Sequence, residues 1–364
     1  MEASSHISVI YGSDPYEMTM SLMTAMKVSD IIPKNAAVAI KPNLVVAKAP
    51  DEGATTHPRI AAAVIDYLRA KGIDNIFMAE GSWVGDNTMS AAELCGYLRL
   101  SQQTGVPFYD LKKDGFTTKT ACGISMDISR RILASDYIIN LPVLKGHCQT
   151  AVTCSLKNMK GCLSDSSKRH FHALGLHKPI AALNTLLPPQ IILVDGICGD
   201  LDFEEGGNPV FAGRMFGGID PVKLDSYGVS LLGYDLSDVP YIGMAETLGV
   251  GSSVIADDTV VELNCCTQVG NTASTRKLRA LAKHIEPNNA CSACYAAAVH
   301  ALARLEEQGL LEELGEKLYI GQGYKGQSRD NAGIGNCCRG FSCWAAGCPP
   351  TAADILKFVR NNAK

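Results

Sequence analysis

Short apolar runs alternate with segments of helical periodicity through most of the chain. Apolar residues recur at helical spacing in 58–70, where Ile60 and Val64 fall on one face. Further helices are expected at 220–233, 276–283 and 291–307. The runs that predict strands are 7–11, 36–40, 75–79, 136–141 and 190–194. This rhythm is typical of an α/β fold with a mainly parallel sheet and flanking helices.

Polar side chains follow four of the predicted strands. In chain order they are Lys41 and Asn43, Glu80 and Ser82, Lys145 and His147, and Asp195. In open α/β sheets, ligands bind outside the carboxyl ends of the strands. The pattern therefore predicts a ligand site at this edge of the sheet.

The segment 157–170 is basic, although the whole chain has a formal charge of −4. Lysine and arginine concentrated in one stretch of an acidic protein indicate an anionic ligand, such as a carboxylate, a phosphate or a charged cofactor. The residues expected to bind this small anionic molecule are Lys41, Asn43, Glu80, Lys157 and Lys160.

Four residues are candidates for catalytic proton transfer: Lys145, His147, His57 and Asp195. His57 precedes a predicted helix, whose N-terminus favours a neutral imidazole that suits a general base or a metal ligand. Asp195 ends an apolar strand, so burial is expected to raise its pKa. A capping role for His57 and a turn-forming role for Asp195 are the structural alternatives.

The chain changes character near residue 286, beyond which it is rich in Cys and Gly. We therefore divide it into an α/β domain, 1–285, and a C-terminal, mainly helical segment, 286–364. Iron–sulfur clusters are held by thiolates, and four cysteines suit a [4Fe–4S] cluster. The expected ligands are Cys291, Cys294, Cys337 and Cys348.

The spacing of these cysteines supports one shared cluster. Cys291 and Cys294 lie in the first turn of a predicted helix, and Cys348 precedes a proline shortly before another helix start. Zinc held by four thiolates is the competing interpretation. The other cysteines that could supply a ligand are Cys338 or Cys343 in place of Cys337, and the adjacent Cys265 and Cys266.

Composition narrows the class of protein. The chain has 14 cysteines but no basic, apolar secretory signal at its start, which favours metal binding over disulfides. No apolar run approaches the roughly 18 residues of a spanning helix. We expect a soluble cytoplasmic protein with no membrane or nucleic-acid partner.

The pair Gly249 and Gly251 lacks the third glycine of a dinucleotide fingerprint, and no P-loop pattern is present.

Several short motifs together resemble the DUF362 family, a domain family of uncharacterised function often found with iron–sulfur motifs. The matching stretches are Ile40-Lys-Pro-Asn-Leu44, Thr56-His-Pro58, Ala79-Glu-Gly-Ser82, Leu141-Pro-Val-Leu-Lys-Gly-His147, Val152-Thr-Cys-Ser-Leu-Lys-Asn-Met-Lys-Gly161 and Leu193-Val-Asp-Gly-Ile197. The resemblance covers most of 36–255 and implies one cluster in the C-terminal cysteines.

Two functions are consistent with these features. The first is an iron–sulfur oxidoreductase or electron-transfer protein, in which the cluster exchanges electrons with the anionic ligand or with a redox partner protein. The second is a non-redox enzyme or binding protein that uses the Lys and His groups for acid–base chemistry. In the second, the cluster, or a zinc ion, only stabilises the fold.

Overall fold

The computed structural model describes residues 6–256, 258–267 and 275–362. Within these residues the strands, in chain order, are β1 (Ile7–Tyr11), β2 (Val38–Pro42), β3 (Ile76–Glu80), β4 (Phe108–Asp110), β5 (Phe116–Ala121), β6 (Ile124–Ser129), β7 (Tyr137–Leu141), β8 (Lys145–His147), β9 (Ala151–Thr153), β10 (Ile191–Asp200), β11 (Pro209–Gly218), β12 (Val260–Glu262), β13 (Ile285–Pro287), β14 (Leu318–Ile320), β15 (Arg329–Ile334) and β16 (Phe341–Ala345).

The α-helices of the same residues connect and cover these strands. They are α1 (Pro15–Ala25), α2 (Val28–Ile31), α3 (Pro58–Ala70), α4 (Thr88–Leu94), α5 (Tyr97–Thr104), α6 (Arg130–Leu133), α7 (Ser155–Asn158), α8 (Asp165–Ala173), α9 (His177–Leu186), α10 (Pro221–Leu232), α11 (Pro240–Thr247), α12 (Arg276–Ala282), α13 (Ser292–Glu307) and α14 (Ala352–Asn362). In the part of the chain that the structure describes, no helix is both long and apolar enough to cross a membrane.

The large sheet has the strand order β12-β1-β11-β10-β7-β2-β3-β4. Strands β10, β7, β2, β3 and β4 pair in parallel, whereas β11 runs antiparallel to both of its neighbours. The expectation of an α/β fold with a mainly parallel sheet is therefore confirmed. The carboxyl ends of β2, β3, β7 and β10 lie at one edge, where the predicted polar residues cluster.

Both faces of this sheet are buried, which explains its continuous apolar strands. Along β2, Val38 and Ile40 belong to one hydrophobic cluster and Ala39 to the other. Along β10, Ile192 and Leu193 divide in the same way. Successive side chains of a strand point to opposite faces, so each strand contributes to both cores.

The local sequence explains where the helices start and end. The ring of His57 caps α3 by accepting a hydrogen bond at Nδ1 from the Arg59 N–H, at 3.2 Å. Asp220 caps α10 in the same way, and Gly233 ends that helix with φ +78°. The capping role of His57, which the sequence left open, is therefore present in the structure.

The C-terminal segment contains a second, four-stranded sheet, which the sequence did not predict. Strands β13, β14, β15 and β16 are all parallel. The expectation of a mainly helical segment missed them because they are short and contain residues such as Asp330, Asn331 and Gly333. A third hydrophobic core joins α13, α14 and this sheet, and it includes Leu278 of α12.

Candidate functional site

A buried ion pair lies at the carboxyl ends of the adjacent strands β2 and β3. The Nζ atom of Lys41 lies 2.5 Å from Oε2 of Glu80, and both side chains are buried. Burial raises the pKa of Glu80, and the positive charge of Lys41 opposes this shift. Gly161 packs directly on the pair, because a Cβ at this position would lie 2.0 Å from Oε1 of Glu80. Lys41 is thus paired with a protein carboxylate.

A second buried cluster connects the β8–β9 hairpin and α7 with the loop between β10 and β11. Glu204 on that loop forms an ion pair with Lys157, and its Oε1 lies 3.2 Å from Nε2 of His147. Lys145 donates hydrogen bonds to the backbone oxygens of Ala54, at 2.5 Å, and Glu204, at 2.7 Å. Burial lowers the pKa of Lys145 to about 7.

The protonation of His147 follows from its partners. Its Nδ1 accepts hydrogen bonds from the backbone N–H groups of Gln149 and Thr150, at 3.0 and 3.1 Å. This nitrogen therefore carries no proton, and Nε2–H donates to Glu204. Burial and the neighbouring Lys157 lower the pKa of His147 to about 4. His147 is consequently a neutral hydrogen-bond donor at pH 7.

Beside these two clusters lies an open cleft with several cationic groups. Burial lowers the pKa of Lys160 to about 7 and that of Lys168 to about 8. Nζ of Lys160 lies 3.3 Å from Nε2 of His172. The lining side chains that carry polar groups are Asn43, Glu80, Ser82, Thr153, Lys157, Asn158, Lys160, Lys168, His172 and Glu204. The apolar side chains of Val45, Trp83 and Val84 complete the wall.

Thr153 in this cleft has an unpaired hydroxyl. Its Oγ1 is buried and has no hydrogen-bond partner among the described residues. A buried polar group without a partner is unusual, because leaving it unpaired costs about 1–3 kcal/mol. Thr153 is therefore a polar residue of the cleft whose hydroxyl no neighbouring group of the described residues satisfies.

Of the predicted ligand-binding residues, Asn43, Glu80, Lys157 and Lys160 line this cleft, and Lys41 lies behind Glu80. The predicted catalytic residues are divided between two places. Lys145 and His147 belong to the Glu204 cluster. His57 and Asp195 instead line a separate cleft with Arg59 and Phe211.

In that separate cleft, the carboxylate of Asp195 accepts hydrogen bonds from the backbone N–H groups of His57, at 3.0 Å, and Ile197, at 3.2 Å. Burial raises the pKa of Asp195 to about 6. Burial also lowers the pKa of His57, and the positive charge of Arg59 acts in the same direction. The two side chains are neighbours, but they do not face the lysine-lined cleft.

Sequence reasoning did not identify Glu204 and Thr153 as site residues. Glu204 lies in an acidic and glycine-rich loop, Asp202-Phe-Glu-Glu-Gly-Gly-Asn208, directly after an apolar strand. The same rule that selected the other strand-end residues could have selected this loop. Thr153 had no distinguishing signal in the sequence, because only its unpaired buried hydroxyl identifies it.

The candidate cluster ligands lie at the carboxyl edge of the second sheet. Cys291 follows β13, Cys337 follows β15 and Cys348 follows β16. Because these strands are parallel, their carboxyl ends meet at one edge. Cys291 is also the N-cap of α13, which begins with the turn that carries Cys294.

Contacts and charges connect these thiols. Cys266 forms hydrogen bonds with Cys291 and Cys294. The bond with Cys291 lowers the pKa of Cys266, but the bond with Cys294 and burial raise it, and the net pKa of Cys266 is about 12. Burial and the neighbouring thiols of Cys337 and Cys291 raise the pKa of Cys348. Among the described residues, no three His, Cys, Asp or Glu side chains are positioned to bind one metal ion as they stand.

Two of the three remaining candidate thiols, Cys338 and Cys343, have other surroundings. Cys338 is buried with Tyr324 and Phe341, and its Sγ donates to the backbone oxygen of Tyr319 at 3.4 Å. Cys343 lies within β16, not after it, and lines a cleft with Phe358. The surroundings of Cys266 therefore resemble those of the four expected ligands more closely than the surroundings of Cys338 or Cys343 do.

The fold and the site define an α/β protein with a lysine-lined cleft at the strand ends and a cysteine-rich C-terminal sheet. The family described as "Domain of unknown function (DUF362)" matches residues 38–230, more than half of the chain. The chain belongs to this family, as its motifs indicated.

Individual relatives are more distant. A protein of Synechocystis named as thylakoid-associated is 27% identical over 224 residues, which cover 58% of this chain and 68% of that protein. The solved lactate racemase apoprotein of Thermoanaerobacterium thermosaccharolyticum aligns with 62% of this chain, at 12% identity and a TM-score of 0.44. A protein of Thermotoga maritima aligns with 57%, at 15% identity and a TM-score of 0.37. This chain spans 56% of each of those two structures.

Proposed function

We propose that this protein carries one [4Fe–4S] cluster on its C-terminal cysteines and acts as a redox protein on a small anionic ligand held in the lysine-lined cleft. The two parts of the proposal depend on different residues. Each part therefore has its own supporting observations and its own experiment.

The anionic character of the ligand is supported by the charges and donors of the cleft. Lys157 and Lys168 have carboxylate partners, but no carboxylate of the described residues lies within ion-pair distance of Lys160. The unpaired hydroxyl of Thr153 lines the same cleft. This combination of a lysine without a carboxylate in ion-pair distance and an unpaired buried hydroxyl is the observation that carries the proposal, because both groups donate hydrogen bonds to anionic oxygen atoms.

The cluster is supported by the chemistry of the thiols. Cys291, Cys294, Cys337 and Cys348 would hold it, with Cys266 as a further possible ligand. The hydrogen bond with Cys266 and burial raise the pKa of Cys291, and burial raises the pKa of Cys337; the positive charge of Lys325 opposes both shifts. A nearby positive charge and the N-terminus of α13 both favour thiolates, which are the form that binds iron. When bound, such a cluster supplies or accepts single electrons.

Metal and sulfide analysis of anaerobically purified protein tests the cluster. We expect iron and acid-labile sulfide, broad visible absorbance and an EPR signal after reduction. Zinc without sulfide would contradict an iron–sulfur cluster. The absence of both metals from protein that was kept anaerobic throughout would contradict any metal-holding role for these cysteines.

A non-redox function is the second candidate, and the contact between Lys160 and His172 favours it. Burial lowers the pKa of Lys160 to about 7, so this amine can gain or lose a proton near pH 7, and burial also lowers the pKa of His172, which favours a neutral imidazole beside it. In this case the cluster, or a zinc ion, stabilises the fold. Replacement of Cys348 with Ser distinguishes the two functions once a turnover assay exists. A structural cluster predicts that activity falls only in proportion to unfolding, whereas a redox cluster predicts lost turnover in folded protein.

A further inference from the structure

The loop between β10 and β11 places a carboxylate of the protein inside the lysine-lined cleft. Glu204 is bound there by Lys157 and His147. We propose that Lys157 and His147 form a carboxylate-binding subsite, which Glu204 occupies in this structure and from which the carboxylate of a small organic acid displaces it. This inference rests on the proposed anion-binding function of the same cleft and specifies its ligand class.

The His147 donor is oriented independently of Glu204, and the Lys157 donor is buried. The backbone N–H groups of Gln149 and Thr150 orient the His147 ring, so that its Nε2–H points to the carboxylate. Lys157 extends from α7, and only 4% of its side chain is exposed. Glu204 is the most exposed member of the three, with 18% of its side chain accessible. The two donors therefore lie on the buried side of the site, and the carboxylate that accepts from them lies on the side closer to solvent.

The loop that carries Glu204 has fixed ends. The carboxylate of Asp200 accepts hydrogen bonds from the backbone N–H groups of Asp202, Phe203 and Asn208. The side chain of Asp202 forms an ion pair with Lys277 of α12, at 2.8 Å. These contacts hold the loop at both ends without involving the carboxylate of Glu204.

The middle of the loop is permissive. Gly206 and Gly207 have φ values of +78° and +145°, and a Cβ at Gly207 would meet no atom within 4 Å. Phe203 has 47% of its surface exposed. Residues 204–207 can therefore change conformation while Asp200 keeps its hydrogen bonds to residues 202, 203 and 208, although this change breaks the hydrogen bond from Lys145 to the backbone oxygen of Glu204.

The contacts of Glu204 explain why the subsite selects a carboxylate. One carboxylate oxygen of Glu204 accepts a hydrogen bond from the neutral imidazole of His147, and the other accepts one from the ammonium group of Lys157. Each oxygen of the planar carboxylate therefore has its own donor. The remaining polar groups of an acid bound there would find Thr153 and Lys160 in the same cleft. The internal glutamate thus reproduces the group that the ligand would present.

Calorimetric titration of the full chain with sodium acetate tests the displacement. We compare the wild type with Glu204→Ala and with Glu205→Ala, a matched control on the same loop whose side chain is exposed. Because acetate no longer competes with an internal carboxylate, we expect Glu204→Ala to bind acetate at least about tenfold more tightly than the wild type. Glu205→Ala should behave as the wild type.

Three results would overturn the proposal. Acetate affinity in Glu204→Ala that equals or falls below that of the wild type would show that Glu204 does not block the subsite. A gain for inorganic phosphate without a gain for acetate would show that the subsite does not select carboxylates. If neither anion binds to any of the three proteins, the anion-binding function itself fails, and this inference fails with it.

Hydrogen exchange of the wild type provides a second test that needs no variant to fold. Saturating acetate should increase amide exchange in residues 201–208, because Glu204 loses its contacts with Lys157 and His147. Exchange in the β5–β6 hairpin should not change. Unchanged or slower exchange in 201–208 with acetate bound would contradict displacement of Glu204.

Discussion

We expect replacement of Glu80 with Gln to destabilise the protein strongly. The substitution keeps the volume of the side chain but removes the negative charge 2.5 Å from Nζ of Lys41, whose side chain is 0% exposed. The other contact of this ammonium group is the backbone oxygen of Pro42, at 3.2 Å. A neutral amide cannot compensate a buried positive charge as a carboxylate does.

Breaking a buried pair by removing one partner typically costs about 3–5 kcal/mol, because the other charge stays buried alone. We therefore expect the free energy of unfolding of Glu80→Gln to fall by about this amount. The double variant Lys41→Met with Glu80→Gln has no unpaired charge at this position, so it should lose less than the single variant. The control Glu93→Gln alters an exposed carboxylate on α4 and should change stability by no more than about 0.5 kcal/mol.

Urea unfolding, followed by circular dichroism, measures these differences. A loss below about 1 kcal/mol for Glu80→Gln would contradict the buried ion pair, because it falls in the range of exposed pairs. A double variant whose loss equals or exceeds the sum of the two single losses would also refute the reasoning, since the two charges would then not stabilise each other.

Three further predictions follow from the other sites. Burial raises the pKa of Asp195 from 3.8 to about 6, so the folded protein holds the carboxyl proton more tightly than the unfolded chain does. As the pH rises from 3.8 to about 6, the free energy of unfolding of the wild type should therefore fall by about 3 kcal/mol relative to that of Asp195→Asn. A difference in urea unfolding that does not depend on pH would contradict this prediction. Iron analysis should show that Cys348→Ser loses iron whereas Cys343→Ser retains it, and the reverse would assign the ligand to Cys343. Lys160→Met should weaken the binding of malonate, whose second carboxylate extends beyond Lys157 and His147, at least about tenfold in calorimetry, while Lys119→Met, which alters an exposed lysine on β5, should not; equal losses would show that only net charge matters.

The sequence predicted β1, β2, β3, β7 and β10 of the large sheet because these buried strands read as continuous apolar runs, but it did not predict β4, β11 or β12. The run 7–11 coincides with β1, and the helix 58–70 coincides with α3. The polar residues that follow the strands, such as Lys41 and Lys145, also lie at the expected edge. A parallel sheet makes this inference reliable, because all of its carboxyl ends are brought to the same side.

Other features depend on contacts between distant segments. Glu204 is 47 residues from Lys157 in the chain, and only the fold brings the two charges together. Lys145 follows β7, whereas Asp195 lies within β10 and does not end it, as the sequence had suggested; Lys145 contacts Glu204, but Asp195 lines the cleft that contains His57. Hydrophobic periodicity reports which residues are buried and does not report which neighbours they meet.

The burial of an isolated cysteine is also difficult to predict from its neighbours in the sequence. Apolar neighbours in the sequence predict that Cys95 and Cys122 are both core residues; Cys95 is buried, but Cys122 is exposed, so the prediction for Cys122 is wrong. Cys122 lies between β5 and β6 with φ +52°, in the turn of a hairpin. The apolar residues around it in sequence, such as Ile124, point inward while the turn itself points outward.

Iron and acid-labile sulfide analysis of the anaerobically purified full chain, with its visible spectrum, tests the proposed function most directly. The account predicts about four iron and four sulfide ions per chain, as a single [4Fe–4S] cluster requires. It also predicts their loss in Cys348→Ser. Zinc in place of iron, or iron that stays bound without Cys348, would contradict the account.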